Sequence, residues 1–234
     1  MARVVLITGG TRGIGRALAE ALLRAGDKVA VTGTSEDGVV KAERELAQYG
    51  DVAAIVCNVR EVSSAELAIR TAVARFGGLD VLINNAGVGV GVPVADMPYD
   101  EWNRIIGTNL TGIFNCCKAA IPHLRQRGGG WIVNLSSLAS TNPFAGGAAY
   151  CASKAAVNAF SEALMQELRY DNIRVSYVLP GSVATGFSGR EPESGSDWKL
   201  LPEDVAQAIM NVLNHPARSL PSRVEIRPSR PRKS

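Results

Sequence analysis

Short apolar runs alternate along the chain with longer stretches in which apolar residues recur every three or four positions. The short runs fall at residues 3–7, 28–32, 52–56, 79–83, 131–135, 173–179 and 223–227. A run such as Arg3-Val4-Val5-Leu6-Ile7 lacks the alternation of a half-solvated strand and predicts one buried on both faces. The stretches between predict helices over 13–25, 36–49, 63–76, 99–127 and 149–170, with another opening at Pro202. In the first of these, Ile14, Leu18 and Leu22 share a face and Gly26 supplies the stop. Strands alternating with helices in this way predict an α/β fold. Its centre is a seven-stranded parallel, doubly wound sheet flanked by helices on both faces, with ligands at the carboxyl ends of the strands. No repeat or linker interrupts the order, so residues 1–234 read as a single domain.

Composition narrows the function classes. The formal charge of +3 is small, and Arg227, Arg230, Arg232 and Lys233 crowd into the last residues. That basic tail, about 228–234, reads as a solvated terminus. No basic stripe interleaved with aromatics occurs elsewhere, so nucleic acid is not an expected partner. No apolar run approaches the ~20 residues needed to cross a bilayer, and the first strand starts too early for a signal peptide. Neither a membrane nor export is therefore expected. The cysteines, Cys57, Cys116, Cys117 and Cys151, lack metal-ligand spacing. Reduced thiols, a cytoplasmic location and no metal are the expectation.

Three motifs carry candidate chemistry. Thr8-Gly9-Gly10-Thr11-Arg12-Gly13-Ile14-Gly15 lies between the first strand and the first helix. Glycines there let the backbone approach a pyrophosphate, whose charge meets the N–H groups of the helix start, as in Rossmann-type folds. Ser136 and Ser137 follow the fifth strand. Tyr150 and Lys154 stand four apart on a predicted helix, which puts their Cβ atoms roughly 6 Å apart on one face. A free tyrosine titrates near ~10, so bringing it to neutrality requires a drop of about 3 units, or roughly 4 kcal/mol. A nearby cation favours the phenolate and supplies part of that drop.

With these residues in place, nearly the whole chain resembles the short-chain dehydrogenase/reductase family. The Thr8-Gly9-x-x-x-Gly13-x-Gly15 spacing is similar to that family's glycine motif, and Asn84-Asn85-Ala86-Gly87 to its strand-stabilising segment. Asn109 resembles its helix-kinking asparagine. Ser137, thirteen residues before Tyr150, resembles its serine, and Tyr150 with Lys154 its active pair. Pro180-Gly181-x-Val183-x-Thr185 is similar to the segment that contacts the nicotinamide carboxamide. The resemblance implies that Ser137 holds the substrate oxygen and that Tyr150 donates or accepts its proton. Lys154 would hold the nicotinamide ribose and lower the Tyr150 pKa. Asn109 would leave a backbone carbonyl free to position a water that links Lys154 to solvent. Ser136 is the rival for the serine role. The cofactor set so implied is Gly9, Thr11, Arg12, Gly13, Ile14 and Gly15 in the turn and Thr34, Asn58 and Val59 at the adenosine end. Asn85, Ala86, Gly87, Tyr150, Lys154, Pro180, Gly181, Val183 and Thr185 complete it.

The second strand ends at Gly33-Thr34-Ser35 without the acid that holds the ribose diol in NAD-preferring relatives. Arg12 matches the basic position of many NADP-preferring ones. NADP is the expected cofactor, with NAD open because Glu36 and Asp37 lie close by. Asn58 stands where many relatives carry Asp, and its side-chain oxygen is expected to accept from the adenine. A substrate lid is expected over about 186–200, with Phe187 and Trp198 as its aromatics and Arg190 and Lys199 as potential clamps. Trp198 reads equally as a shield or as an anchor. Residues 88–92 and 144–147 are the other expected walls. The C-terminal part resembles NADP-dependent reductases of 3-hydroxy acids and small carbonyls more than reductases of 3-oxoacyl carrier protein, which remain the alternative. A non-catalytic NADP-binding sensor is a remoter one. The resemblance also implies a homodimer or homotetramer.

Overall fold

Val4–Ile7 forms β1, and all four residues are buried. Val5 and Ile7 point into one core cluster and Val4 and Leu6 into the other, because alternate residues of a strand face opposite sides of the sheet. The computed structural model describes residues 2–89, 91–187 and 197–230. Six more strands complete the sheet: β2 (Lys28–Gly33), β3 (Val52–Val56), β4 (Val81–Asn84), β5 (Gly130–Leu135), β6 (Ile173–Pro180) and β7 (Arg223–Ile226). Their order is β3-β2-β1-β4-β5-β6-β7 and every pairing is parallel. This is the α/β doubly wound sheet that the alternating pattern predicts.

Helices cover both faces. Leu18 and Leu22 of α1 (Gly13–Arg24), Leu46 of α2 (Glu36–Leu46) and Val205 and Ile209 of α7 (Pro202–Leu213) pack with Val5, Ile7, Ile83 and Val133. On the other face, Ile69 of α3 (Val62–Phe76), Ile113 of α5 (Gly112–Gln126) and Val157 and Leu164 of α6 (Ala148–Leu168) pack with Leu6, Leu82 and Ile132. From β1 the chain winds to β2 and β3, then crosses to β4 on the opposite side of β1. The loops after β1 and β4 therefore part from one another, leaving a crevice at the carboxyl edge of the sheet.

The helix predicted over 99–127 is interrupted. The short helix α4 (Tyr99–Ile106) passes into a π-helical turn at Gly107–Thr111 before α5 begins. The buried Asn109 lies within that turn, its side chain held by Val88 and Ser153. Those bonds fix a local register that 3.6-residue periodicity does not encode, and π turns of this kind recur at functional sites. The expected fourth strand starts two residues late. Asp80 precedes it, with one carboxylate oxygen accepting from the Val4 N–H at 2.7 Å and the other paired to Arg127.

Candidate active site

The turn after β1 is shaped to receive a phosphate. Gly9 and Gly13 hold φ values of +64° and +55°, which disfavour residues with a side chain. A Cβ on Gly15 would stand 2.5 Å from Asn85 Nδ2 and 2.7 Å from the Gly9 carbonyl. Asn85 Nδ2 donates to the carbonyls of Thr8 and Gly9, each at 2.9 Å. Thr8 Oγ1 accepts from the backbone N–H groups of Asn85 and Ala86, each at 3.0 Å. The loops on the two sides of the crevice are thereby joined at its floor. The first turn of α1 has no acidic residue, and Arg12 at its N-cap position makes no side-chain cap. Its N–H groups and positive dipole end suit the diphosphate of a dinucleotide. Ile14 packs on the core cluster beneath, and the Thr11 methyl would lie 2.6 Å from a Cβ on Gly33.

At the adenosine end, β2 stops at Gly33 and Thr34 is exposed just beyond. Ser35 Oγ caps α2 by accepting from Gly38 N, which leaves Glu36 and Asp37 in the first helical turn rather than at the strand end. The Asn58 amide is already engaged. Nδ2 donates to Glu61 at 2.7 Å, and Oδ1 accepts from the backbone N–H and the Nε of Arg60, each at 3.3 Å. The oxygen expected to meet adenine is thus turned to Arg60 in this state. Val59 is buried, and its carbonyl accepts from Asn115 of α5 at 3.0 Å.

The segment after β6 closes the far side. Gly181 N donates to Ile226 O at 2.8 Å, and a Cβ there would lie 2.9 Å from Pro228 and 3.2 Å from Leu138. Pro180 ends β6. Val183 bridges to Leu200, so both ends of the expected lid are tied together. A Cβ on Gly13 would lie 3.5 Å from the Thr185 methyl, and Arg12 Nη1 donates to the Gly186 carbonyl at 3.1 Å. Lys199 Nζ lies over the partly buried Trp198 ring, 5.8 Å from its centroid. Val90, the lid residues 188–196 with Arg190, and the tail residues 231–234 lie outside the described residues.

Ser137, Tyr150, Lys154 and Asn109 converge above β4 and β5. The two serines after β5 face different ways. Ser136 is buried, and its hydroxyl is engaged with α6 at the Lys154 carbonyl (3.1 Å) and Asn158 Oδ1 (2.6 Å). Ser137 Oγ accepts from Ala139 N at 3.1 Å and lies close enough to the Tyr150 phenol to lower its pKa. Lys154 is buried one helical turn beyond Tyr150, and its ammonium donates to the Leu135 carbonyl at 2.7 Å. Asn109 Nδ2 donates to Val88 O (2.8 Å) and Ser153 Oγ (3.0 Å), while Oδ1 accepts from Val88 N (2.8 Å). Ser153 in turn donates to the Tyr150 carbonyl at 2.7 Å. The π turn is thus fastened to the helix that carries the pair. A Cβ on Gly87 would stand 3.4 Å from Asn109 Oδ1 and 3.6 Å from Lys154 Nζ, so this glycine backs both.

Electrostatics depart from expectation. Burial pushes the Tyr150 phenol above its ordinary value, against the neighbouring Ser137 hydroxyl, which lowers it. Burial also pulls Lys154 down to about 8. The lysine was expected to lower the tyrosine, but here desolvation governs both groups and the ammonium is turned toward Leu135. A contact that motif spacing did not reveal is Phe187 against Tyr150, with ring centroids 5.8 Å apart and planes at 61°. Its only sequence signal is an aromatic at the start of the lid.

Comparison with known proteins agrees with this arrangement. The family profile described as short chain dehydrogenase matches residues 3–194. A 3alpha-hydroxysteroid dehydrogenase of Mediterraneibacter gnavus is 34% identical over 220 residues, covering 89% of this chain and 88% of that protein. The 3-oxoacyl-acyl-carrier-protein reductase of Salmonella typhimurium is 38% identical over 186 residues, 80% of this chain and 75% of that one. Among solved structures, an alcohol dehydrogenase from the archaeon Thermococcus sibiricus, complexed with 5-hydroxy-NADP, superposes with a TM-score of 0.92. It is 29% identical, and the match covers 100% of both chains. The chain belongs to the short-chain dehydrogenase family, oxidoreductases that interconvert alcohols and carbonyl compounds with a nicotinamide dinucleotide.

Proposed function

We propose that the protein is an NADP-dependent oxidoreductase of small ketones, aldehydes and their alcohols, of the 3-hydroxy acid or general carbonyl type, with Tyr150 as its acid and base. The observation that carries this reading is the Ser137 hydroxyl beside the Tyr150 phenol, with Lys154 one turn along the same helix. When bound, the dinucleotide supplies or takes up the hydride. Ser137 then holds the substrate oxygen while the phenol gives it a proton, or accepts one in oxidation. An ammonium has three donors, so Lys154 keeps two for the ribose hydroxyls while bonded to Leu135. Asn109 fixes the π turn against Val88 and Ser153. The glycine-rich turn, Asn58, Val59, Asn85–Gly87 and Pro180–Thr185 line the cofactor's path.

NADP is favoured over NAD by the absence of a carboxylate at the end of β2 and by Arg12 in the turn. The Thermococcus sibiricus relative was solved with an NADP derivative, which points the same way. The test is NADPH oxidation, followed by loss of absorbance, against a 3-oxo acid, a diketone, an aromatic aldehyde and a 3-oxoacyl thioester. Each assay is repeated with NADH and with Tyr150→Phe. Turnover that prefers NADPH and vanishes in Tyr150→Phe supports the reading; full activity in that variant overturns it.

Reduction of a 3-oxoacyl thioester is the second reading, favoured by the 38% identity to the Salmonella typhimurium enzyme. The thioester in the panel separates the two. A homodimer or homotetramer through the α4–α5 segment and α6 is favoured by the exposed Trp102 on α4 and Phe114 on α5 and by the groove of about 330 Å³ between α3 and α5. A cytoplasmic location accords with four cysteines that are all buried free thiols.

A further inference from the structure

Phe187 lies against the reactive tyrosine, although it stands thirty-seven residues further along the chain. Its ring meets Tyr150 edge to face, and 41% of its surface is exposed. Gly89 completes the contact from the loop after β4. A Cβ built there would lie 3.0 Å from Phe187 Cε1, 3.0 Å from Tyr150 Cδ2 and 3.3 Å from Tyr150 Cε2. The same point in space is therefore bounded by the Gly89 backbone, the Phe187 ring and one edge of the Tyr150 ring. That edge ends beside the phenolic oxygen, since Cε2 is bonded to the carbon that bears it.

The consequence for a substrate is steric. A carbonyl whose oxygen meets the phenol carries two substituents on its carbon, and one of them must point toward the tyrosine edge that Gly89 and Phe187 cover. On the Gly89 side the space is already taken by Phe187, and even a methyl on the glycine would press on both rings. Gly89 thus gives Phe187 room to close over this edge, and Phe187 limits what else enters.

We infer that Phe187, seated against Gly89 and Tyr150, is the wall that sets substrate size on one side of the reacting carbonyl. That side admits hydrogen or methyl, so the preferred substrates are aldehydes and methyl ketones with their corresponding alcohols. The inference rests on the carbonyl-reductase reading above, and the test separates the two.

The measurement is kcat/KM with NADPH for three aryl ketones that keep the phenyl group and change the second substituent from methyl to ethyl to isopropyl. Each is assayed with the unaltered protein, Phe187→Ala, Gly89→Ala and the double variant. Binding of the same ketones to the enzyme with NADP+, where no hydride is available, is read by calorimetry. In the unaltered protein the methyl ketone should exceed the isopropyl ketone by at least about tenfold, the order expected for crowding by extra carbons in a closed pocket. Phe187→Ala should shrink that ratio to about threefold or less. Gly89→Ala should slow even the methyl ketone, with partial recovery in the double variant, because the added methyl still meets Tyr150.

A ratio that Phe187→Ala leaves unchanged overturns the wall, as does a flat series in the unaltered protein. If none of the three ketones turns over, the carbonyl panel above decides the reductase reading and the binding series decides the wall. A size ladder with NADP+ that flattens in Phe187→Ala upholds the wall, and absence of a ladder or of binding overturns it. Phe187 is substantially exposed, so its truncation is not expected to prevent folding.

Discussion

Lys154 lies one turn beyond Tyr150 on α6, yet its ammonium donates to the carbonyl of Leu135, the last residue of β5, at 2.7 Å. Its Nζ is 5.9 Å from the centroid of the tyrosine ring. The two groups share a helix face as their spacing requires, but in the cofactor-free state the cation is held by the sheet. Burial is then the dominant influence on both. It disfavours the charged forms, raising the phenol and lowering the amine.

The phenol is therefore protonated throughout the neutral range in the free protein. The ultraviolet difference between the unaltered chain and Tyr150→Phe should show residue 150 less than half ionised at pH 10, the ordinary value. Reduction, which consumes the phenol proton, is expected to be flat from pH 6 to 8. Oxidation, which needs the phenolate, is expected to climb with pH across the same range. Appearance of the residue 150 phenolate below pH 8 without cofactor would contradict the dominance of burial.

The lysine supplies a stability test of opposite sign. Its folded pKa of about 8 lies below the ordinary 10.5, so between those values the unfolded chain binds more protons than the folded one. Stability from this group is therefore gained as pH rises from 8 to 10.5 and is absent below 8. A depression of that size corresponds to roughly 3 kcal/mol. Lys154→Met should remove this alkaline gain in urea unfolding at pH 7, 8.5 and 10, and should leave the cofactor-free protein at least as stable at pH 7. It should also abolish turnover. A variant clearly less stable than the parent at pH 7 would show that the bond to Leu135 outweighs the desolvation of the charge.

Asn109 closes both hydrogen-bonding groups of Val88, and it is fully buried. Asn109→Ala leaves the part-buried N–H and carbonyl of Val88 without these partners, a loss of about 1–2 kcal/mol. Asn109→Asp repairs only the acceptor half, since a carboxylate cannot donate to Val88 O or Ser153. Urea midpoints should therefore rank the parent above both variants. Turnover should fall with them, because Ser153 links the π turn to the Tyr150 carbonyl. Retention of the parent midpoint by Asn109→Ala would refute a structural role for this amide.

What could be read before the structure follows from what each feature depends on. The buried Val4–Ile7 run, its glycine turn and the helix behind it are local, and periodicity with turn chemistry reports local structure well. The Tyr150–Lys154 face is likewise a property of one helix. The direction of the Lys154 ammonium depends on a carbonyl of β5, and the place of Phe187 depends on where the chain after β6 meets the loop after β4. Ser136 rivals Ser137 in the sequence because both follow the same strand; the position of Asn158 shows which hydroxyl is turned onto α6. The engagement of Asn58 by Arg60 and Glu61 was hidden for a related reason, since side-chain partners within a turn follow its dihedrals rather than its composition.

Gly15→Ala sets two effects against each other. Alanine within a helix is favoured over glycine by about 1 kcal/mol. The added Cβ, however, would stand 2.5 Å from Asn85 Nδ2 and 2.7 Å from the Gly9 carbonyl, closer than unstrained atoms approach. Backbone cannot move aside cheaply, so the glycine turn and the Asn85 bonds that brace it must shift. Binding of NADPH, followed by its fluorescence, should weaken by more than about tenfold, a loss of about 1.4 kcal/mol or more. Unchanged affinity would place the dinucleotide elsewhere than on this turn.

Arg12 is the residue on which cofactor choice is expected to turn. Its guanidinium is exposed and donates to the Gly186 carbonyl, a neutral partner that a 2′-phosphate outcompetes through charge-assisted bonds. No carboxylate at the end of β2 opposes that phosphate, since Glu36 and Asp37 belong to the first turn of α2. Arg12→Ala should therefore raise the KM for NADPH by at least about tenfold, the loss expected for one charge-assisted contact. The KM for NADH, which lacks the phosphate, should change by about twofold or less. Arg12→Lys should restore part of the NADPH preference, because it keeps the charge but not the planar fork. Equal losses with both cofactors would mean that Arg12 serves the turn through Gly186 rather than reading the phosphate.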